Sequence, residues 1–474
     1  MRTQCIPVPA VFQAVRKRRL DVAFDGGDVS SDGGVLLLRE VAQLSNFFGR
    51  VARCFQDHRD PNRIDHTIKE LVAQRILGIA CGYEDLNDHD ELRRDPLFAL
   101  ASGKTDPTGA NRRRSCDQGF ALAGHATLNR LETAGATLDN TRKDLKILHD
   151  PKALERMLVD LFLDAHEVPP KEIILDFDAT DDHIHGMQEG RFFHGYYRHY
   201  CYLPLYVFCG DFLLVSKLRT SGQDGAAGAL DELKRLVAHI RSQWPRVRIV
   251  VRGDAGFCRD WLMTWCEETP GIEYILGLAK NSRLLPQIKE DLEEMTQQVE
   301  QTGRPARTFR ELRYKTQKTW SRERRVVAKA EALIGKSNPR FVVSSLPTEE
   351  VDSRTLYEDV YCARGDMENR IKEQQLGMFA DRTSSHTMRA NQLRLWFSSL
   401  AYILVNELRA VALAGTELAR AQVWTIRLRL FKVGALFRQS VRRVKISLSS
   451  AYPLQEVWVA ALANIQDVRE DLMM

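Results

Sequence analysis

The pattern of apolar and polar positions changes period once along this chain. Residues 1–165 read as mainly helical, with helical stretches at about 35–48, 66–81, 118–131 and 151–165 after a glycine-rich opening, Asp25-Gly26-Gly27-Asp28 and Asp32-Gly33-Gly34. Pro169-Pro170 then breaks the chain. Beyond it, Ile173-Ile174-Leu175-Asp176-Phe177-Asp178 is a short apolar run ending in carboxylates, which predicts a buried strand. Tyr200–Cys209 and Phe212–Leu218, joined at Gly210-Asp211, predict an antiparallel hairpin. Leu230, Leu233, Val237 and Ile240 mark one face of a helix over 226–243. Val247–Val251 predicts a strand that ends at Arg252-Gly253-Asp254, followed by a helix at about 259–268 and a strand at Tyr274–Ala279. Residues 281–350 interpose a charged helix (about 284–300) and β-like runs at Thr308–Tyr314, Arg324–Ala330 and Phe341–Ser345. Helices resume at 364–376, with Gly377 as a stop and Ser384 or Ser385 as the next cap. The helix at about 387–410 is apolar almost all round (Leu393, Trp396, Leu400, Ile403, Leu404) and is expected to be buried.

The order strand, strand, strand, helix, strand, helix, strand predicts an α/β fold of RNase H-like type. Its mixed five-stranded sheet has flanking helices, a helical N-terminal region, a β-containing insertion and a helical C-terminal region. In that order the first and fourth strands lie adjacent and parallel, so their ends bring Asp178 and Asp254 together. The expected organisation is an N-terminal, mainly helical region over 1–168 and a first part of the RNase H-like core over 171–280. A β-rich subdomain over 281–350, the second part of the core over 351–412 and a basic region over 413–474 follow.

Composition adds limits. Hydrophobic residues are 44% and charged residues 28%, so the chain has a core to bury and general disorder is excluded. No window approaches the ~18 apolar residues of a membrane span; Tyr202–Val215 and Leu395–Val405 are short or broken by Asp211. The apolar stretch Ile6–Val15 precedes the basic run Arg16–Arg19, the reverse of a signal peptide, which predicts an intracellular protein. Nine scattered cysteines without a C-x-x-C pair predict free thiols rather than a structural zinc site. The net charge of +5 is small, but its placement is uneven. Residues 1–20 hold five Arg or Lys, and 420–445 hold eight, with no acid in either stretch. Arg112-Arg113-Arg114 is a third cluster. Such patches suit a polyanion, most often nucleic acid, although a solvated surface has the same composition.

The candidate chemistry centres on Tyr361-x2-Arg364-x3-Glu368. From Tyr361 the offsets to Arg364, Glu368 and Gln375 are 3, 7 and 14, which share one helix face, and Lys372 joins it four residues after Glu368. Taken alone this is an ordinary surface helix with ion pairs. Asp178 and Asp254, at the ends of two apolar strands, change that: three acids converging there make a site for two Mg²⁺ (or Mn²⁺) ions and an in-line phosphodiester displacement. Asp176 shares the strand face of Asp178, and Asp181 and Asp182 follow closely. Asp178 is preferred because it ends the apolar run. Glu373 faces elsewhere on the helix. His183-x-His185, with His194 and His199, offers a rival zinc reading, set against polar residues in a turn.

These motifs resemble a DDE-type insertion-sequence transposase of the branch with a Y-x2-R-x3-E-x6-K signature. The matching segments are Asp178-Ala179-Thr180, Val251–Phe257 and Tyr361–Glu373, with Gly82–Pro96 resembling a subgroup. The resemblance implies an RNase H-like core, a β-rich insertion between the second Asp and the Glu, and Mg²⁺-dependent DNA cleavage and strand transfer. Asp178, Asp254 and Glu368 would be the catalytic metal ligands. Gln375 stands where the pattern has Lys; Lys372 or Lys432 could take its part. The expected function is cleavage and strand transfer at the terminal inverted repeats of a mobile element. Tyr361, Arg364 and Lys372 would position phosphates, and Arg438, Arg442 and Arg443 would bind DNA from a helical segment, Arg420–Lys445. The N-terminal region over 1–168 is expected to bind DNA. A homodimer on double-stranded transposon ends and target DNA is the expected assembly, the expected localisation is cytoplasmic and nucleoid-associated, and no membrane partner is expected. The alternatives are an RNase H-like nuclease without strand transfer and a DNA-binding protein derived from a transposase.

Overall fold

The computed structural model describes residues 10–137 and 146–473. Residues 1–9, with Cys5, Arg2 and the start of the apolar stretch Ile6–Val15, lie outside the described residues. The chain divides into two compact units: one from the N-terminus to Leu154 with Glu373–Ala380 and Trp396 onward, the other Glu155–Lys372 with Asp381–Leu395.

The second unit is built on one sheet. Strands β1 (Glu172–Ala179), β2 (Leu205–Cys209), β3 (Phe212–Lys217), β4 (Arg248–Gly253) and β5 (Ile272–Leu278) lie in the order β3-β2-β1-β4-β5. β1 runs parallel to β4 and β4 to β5, while β2 is antiparallel to both neighbours. This is the RNase H-like arrangement. Helix α1 (Ala229–Gln243) links β3 to β4, and α2 (Asp260–Glu268) links β4 to β5. The centres of β1 and β4, Ile173–Leu175 and Ile249–Val251, are unbroken apolar runs because both of their faces are covered. Leu175, Phe177, Ile249 and Val251 pack in one cluster with Leu233, Leu236 and Ile240 of α1. Val250 and Ile275 belong to a second cluster with Val327, Val342 and Leu356. Each fully buried leucine or isoleucine of α1 contributes about 1.5–3 kcal/mol, so this face decides where the helix sits.

The insertion does not form a sheet of its own. β6 (Ala306–Tyr314), β7 (Arg324–Leu333) and β8 (Arg340–Ser344) extend the same sheet beyond β5 in the order β8-β7-β6, giving nine strands with the short Lys336–Ser337. The pairing of Ile275–Leu278 with Phe341–Ser344 satisfies what would otherwise be an exposed edge. A second difference lies at Pro204. The expected strand Tyr200–Cys209 is split there, since proline has no N–H to give a ladder. His199–Tyr202 pairs instead with Asp182–His183 and Phe192–His194 in a separate three-stranded sheet.

The first unit is mainly helical. Helix Ile68–Cys81 starts with a reciprocal capping box between Thr67 and Glu70 and stops at Gly82, whose φ of 98° suits glycine. The expected helix over 35–48 is two helices, broken at Asn46 in the left-handed region, and the helix expected from 118 begins at His125. The segment Arg420–Lys445 also departs from expectation. It is helical only over Val423–Phe431 and then becomes a β-hairpin, Ala435–Gln439 with Val444–Leu448, that pairs with Asp28–Ser30. Its Val, Leu and Phe residues alternate as well as they recur, so the strand period was available to it. No helix among the described residues is long and apolar enough to cross a membrane, and no disulfide joins the described cysteines.

Candidate active site

Parallel pairing of β1 with β4 sets the site. Arg252 lies opposite Asp176 and Gly253 opposite Phe177, so both strands end together, one at Asp178 and the other at Asp254. Asp254 caps the turn Ala255–Phe257, its Oδ1 accepting the Gly256 N–H at 2.8 Å. Glu368 comes from α3 (Gly365–Lys372). The helical stretch around it is irregular: a π turn over Leu356–Tyr361, a 3-10 turn over Cys362–Arg364, then α3, then a second π turn over Glu373–Gly377. Wide turns of this kind gather at functional sites. They also change the angular step, so a 3.6-residue period no longer fixes where Gln375 points.

One arginine joins two of the three acids. Arg364 donates to Asp178 Oδ1 at 3.4 Å and to Glu368 Oε1 at 2.5 Å. Burial pushes the Asp178 carboxyl up to about 7; Arg364 opposes the rise, and Asp254, Glu368 and Asp176 add to it. The three carboxylates therefore share one electrostatic neighbourhood with too little positive charge to neutralise it. Tyr361 closes this neighbourhood. Burial raises its phenol, Arg364 opposes and Asp254 adds. A Cβ on Gly277 of β5 would stand 2.5 Å from the Tyr361 hydroxyl and 2.9 Å from the Ala255 nitrogen, so only glycine admits this approach.

The nearby acids behave differently. Asp176 is buried and bidentate to Arg252, at 2.5 Å and 2.7 Å, and Arg252 also donates to the Val360 carbonyl. Asp181 accepts from His199 at 2.8 Å. Asp182 is buried, which raises its carboxyl well above the usual range. Glu373 is buried and accepts from Arg409 and the Val423 N–H. Lys372 is exposed. His183, His185 and His199 stack ring on ring, with centroids 4.2 Å and 4.4 Å apart.

The donor chemistry of Asp178, Asp254 and Glu368 fits a hard divalent cation, being oxygen only. With Arg364 between two of them, no group of three or more His, Cys, Asp or Glu among the described residues stands at metal-holding positions.

The remaining expected contacts lie in the first unit. Arg438 is on the hairpin strand, and Arg442 and Arg443 are at its exposed turn beside the fully exposed Val441. Lys432 is engaged, its Nζ 2.7 Å from the buried Asp32 and over the Tyr83 ring. Sequence reasoning singled out Arg112-Arg113-Arg114 but missed their companions. Arg59, Arg63, Arg93 and Arg130 line the same cavity of about 490 Å³. Burial, with Lys104, Arg112 and Arg59 nearby, holds His66 there down to about 2, so it adds no charge of its own. The four extra arginines are spread over 71 positions with no shared period, and nothing in the pattern could join them.

A sheet of this order, with acids at two parallel strand ends and a third on a following helix, defines a polynucleotidyl-transferase fold. The model of the family described as transposase DDE domain group 1 matches residues 12–470, and the chain belongs to that family. It is a DDE transposase, an enzyme that acts on DNA with divalent metal ions. Among solved structures, the cryo-EM structure of a piggyBac transposase synaptic complex with hairpin DNA is similar. It has 11% identity and a TM-score of 0.39 over 85% of this chain and 80% of that one. A search of curated proteins finds no match.

Proposed function

We propose that Asp178, Asp254 and Glu368 hold two Mg²⁺ or Mn²⁺ ions and cut and join DNA at the terminal inverted repeats of a mobile element. The observation that supports this is the set of three carboxylates, from two strand ends and one helix, around the single Arg364. Bound ions of this kind activate the attacking oxygen and stabilise the leaving one. The chain's own residues do the rest. Arg364 neutralises Asp178 and Glu368 before ions arrive and is then released toward a phosphate. Tyr361, tight against Gly277 and the Asp254 turn, holds the Glu-bearing helix and a phosphate oxygen. Lys372 meets the flanking backbone. In cleavage, a water oxygen attacks phosphorus and the P–O3′ bond breaks, leaving a 3′-hydroxyl. In transfer, that hydroxyl attacks a target phosphate and releases a new 3′-hydroxyl.

In the first unit, Arg438, Arg442 and Arg443 and the arginine-lined cavity carry DNA backbone contacts, which position without reading sequence. Two ends must be held at once, which favours a homodimer acting on chromosomal DNA in the cytoplasm. The test is incubation of the whole protein with end-bearing duplex and supercoiled target. Mg²⁺-dependent nicking with covalent joining is expected, both abolished by EDTA. Nicking without joining would favour a nuclease; binding without either would favour a DNA-binding derivative. Full activity restored by Zn²⁺ and dependent on His183 and His185 would overturn the carboxylate site.

A further inference from the structure

The second unit leaves eight large apolar side chains exposed, and five of them fall between Met187 and Tyr200: Met187, Phe192, Phe193, Tyr196 and Tyr200. The other three, Val168, Trp261 and Ile334, are far apart in sequence. Scattered exposed residues need no explanation, but a contiguous exposed patch does. The composition is unusual too. His183–Tyr200 holds five aromatic rings, four histidines, two arginines and a single acid.

The rings are ordered. The hairpin Phe192–His194/His199–Tyr202 pairs Phe193 with Tyr200 and His194 with His199, and His183 joins through Cys201. On one face the imidazoles of His185, His183 and His199 form a ladder that continues to Tyr197, whose centroid is 6.0 Å from His199 and 5.0 Å from Tyr196. On the other face Phe193 meets Tyr200 at 5.5 Å, and the Arg191 guanidinium lies 4.4 Å over the Tyr200 ring. The turn is held tightly. Arg198 sits at φ 61°, costly for a residue with a side chain, and donates its N–H to the His194 carbonyl at 2.8 Å. Ser221 Oγ bonds the Cys201 and Phe192 carbonyls, and Tyr202 donates to the Glu189 carbonyl. The platform is thus rigid although its rings are in water.

It also reaches the carboxylates. His199 Nε2 stands 2.8 Å from Asp181 Oδ2, and Asp181 lies three residues past Asp178. Rigid exposed rings interleaved with Arg and His suit a ligand with flat faces and negative charge, which is a nucleic acid strand with its bases unstacked. A second protein copy would meet excess cation on both sides.

We propose that the face formed by His183, His185, His199, Tyr197 and Tyr196 binds unpaired nucleotides of the DNA strand end by stacking, next to Asp178. This rests on the carboxylate site being the cleavage centre. The test therefore measures binding without chemistry, in EDTA, using the whole protein. Three DNAs are compared: a blunt duplex, a duplex with a three-nucleotide unpaired tail carrying 2-aminopurine, and the same tail made abasic. The wild type should prefer the based tail over the abasic one by roughly five- to hundredfold, and 2-aminopurine emission should change on binding. His185→Ala with Tyr196→Ala should abolish the preference and leave blunt-duplex binding intact; Tyr196→Phe should keep it. Both positions are exposed, so the fold should survive, checked by thermal melting. Equal affinity for based and abasic tails would overturn the proposal. So would a preference untouched by the double variant, or a double variant whose only change is its oligomeric state. Tail preference that persists in a protein found inactive would instead count against the cleavage reading alone.

Discussion

Acids are used in opposite ways in two regions of this protein. In the first unit three buried acids each have a cation of their own, and Glu407, which burial pushes up to about 8, is the exception. Arg75 and Glu132 pair at 2.6 Å with almost no exposure, Lys432 meets Asp32, and Arg409 meets Glu373. At the carboxylate centre of the second unit, Arg364 pairs with two of the three acids, Asp178 and Glu368, and Asp178 rises to about 7. Matched pairs leave nothing for a ligand to do. Unmatched carboxylates cost stability and create affinity for cations, which is why the proposed chemistry is placed in the second region. The contrast recurs within one strand: Asp176, two residues from Asp178, is saturated by Arg252.

The largest expected effect breaks the unmatched side. Asp254→Asn should lower nicking and joining by more than about 10²-fold, since loss even of a residue behind a metal ligand costs 10–100-fold, while DNA binding persists. A gel assay retaining a tenth or more of wild-type nicking would remove Asp254 from the metal-holding set. Next, Asp176→Asn and Arg75→Ala break matched pairs. Each should destabilise by about 3–5 kcal/mol in denaturant titration, with activity per folded molecule within about tenfold of wild type. If Asp176→Asn instead abolished catalysis in a stable protein, the two aspartates would exchange roles.

A smaller effect of opposite sign is expected at Asp178. Its folded-state value of about 7 lies above its ordinary 3.8, so the native state binds the extra proton between those limits. Wild-type stability without ions should therefore fall as pH rises from about 4 to 7. Asp178→Asn should remove that fall and stabilise the protein at pH 8 by about 1–3 kcal/mol while destroying activity. Millimolar Mg²⁺ should raise the melting temperature of the wild type at pH 8 but not that of the variant. A variant less stable than wild type at pH 8 would refute this account. The smallest effect concerns the basic hairpin. Replacing Arg438, Arg442 and Arg443 with Ala should flatten the salt dependence of duplex binding by up to about 3 units, at about 0.9 per phosphate. An unchanged slope would leave the arginine-lined cavity as the first unit's DNA contact.

Much of the core was legible because burial on both faces leaves a local trace. Ile173–Phe177 and Val247–Val251 carry no polar alternation, and their carboxylate ends are visible as the point where the apolar run stops. The order of strands and helices then required β1 and β4 to lie side by side. The Tyr361, Arg364 and Glu368 spacing was equally readable, since those residues are close in sequence. What could not be read depended on partners distant in the chain. Whether Arg420–Lys445 continued as a helix or folded into a hairpin turned on Asp28–Ser30, which offers a strand edge about 400 positions away. The insertion joined the main sheet because β5 needed a neighbour, a demand that no residue of the insertion announces. The division of labour between Asp176 and Asp178 belongs to the same class. The two have the same residue type, the same strand face and nearly the same local pattern; they differ because Arg252 reaches one and Arg364, with two more acids, surrounds the other. Sequence alone determined which groups could act, through hydrophobic period and motif spacing. Tertiary structure decided which of them are neutralised and which are left charged, because electrostatic balance is a sum over everything within a few ångströms, whatever its distance along the chain.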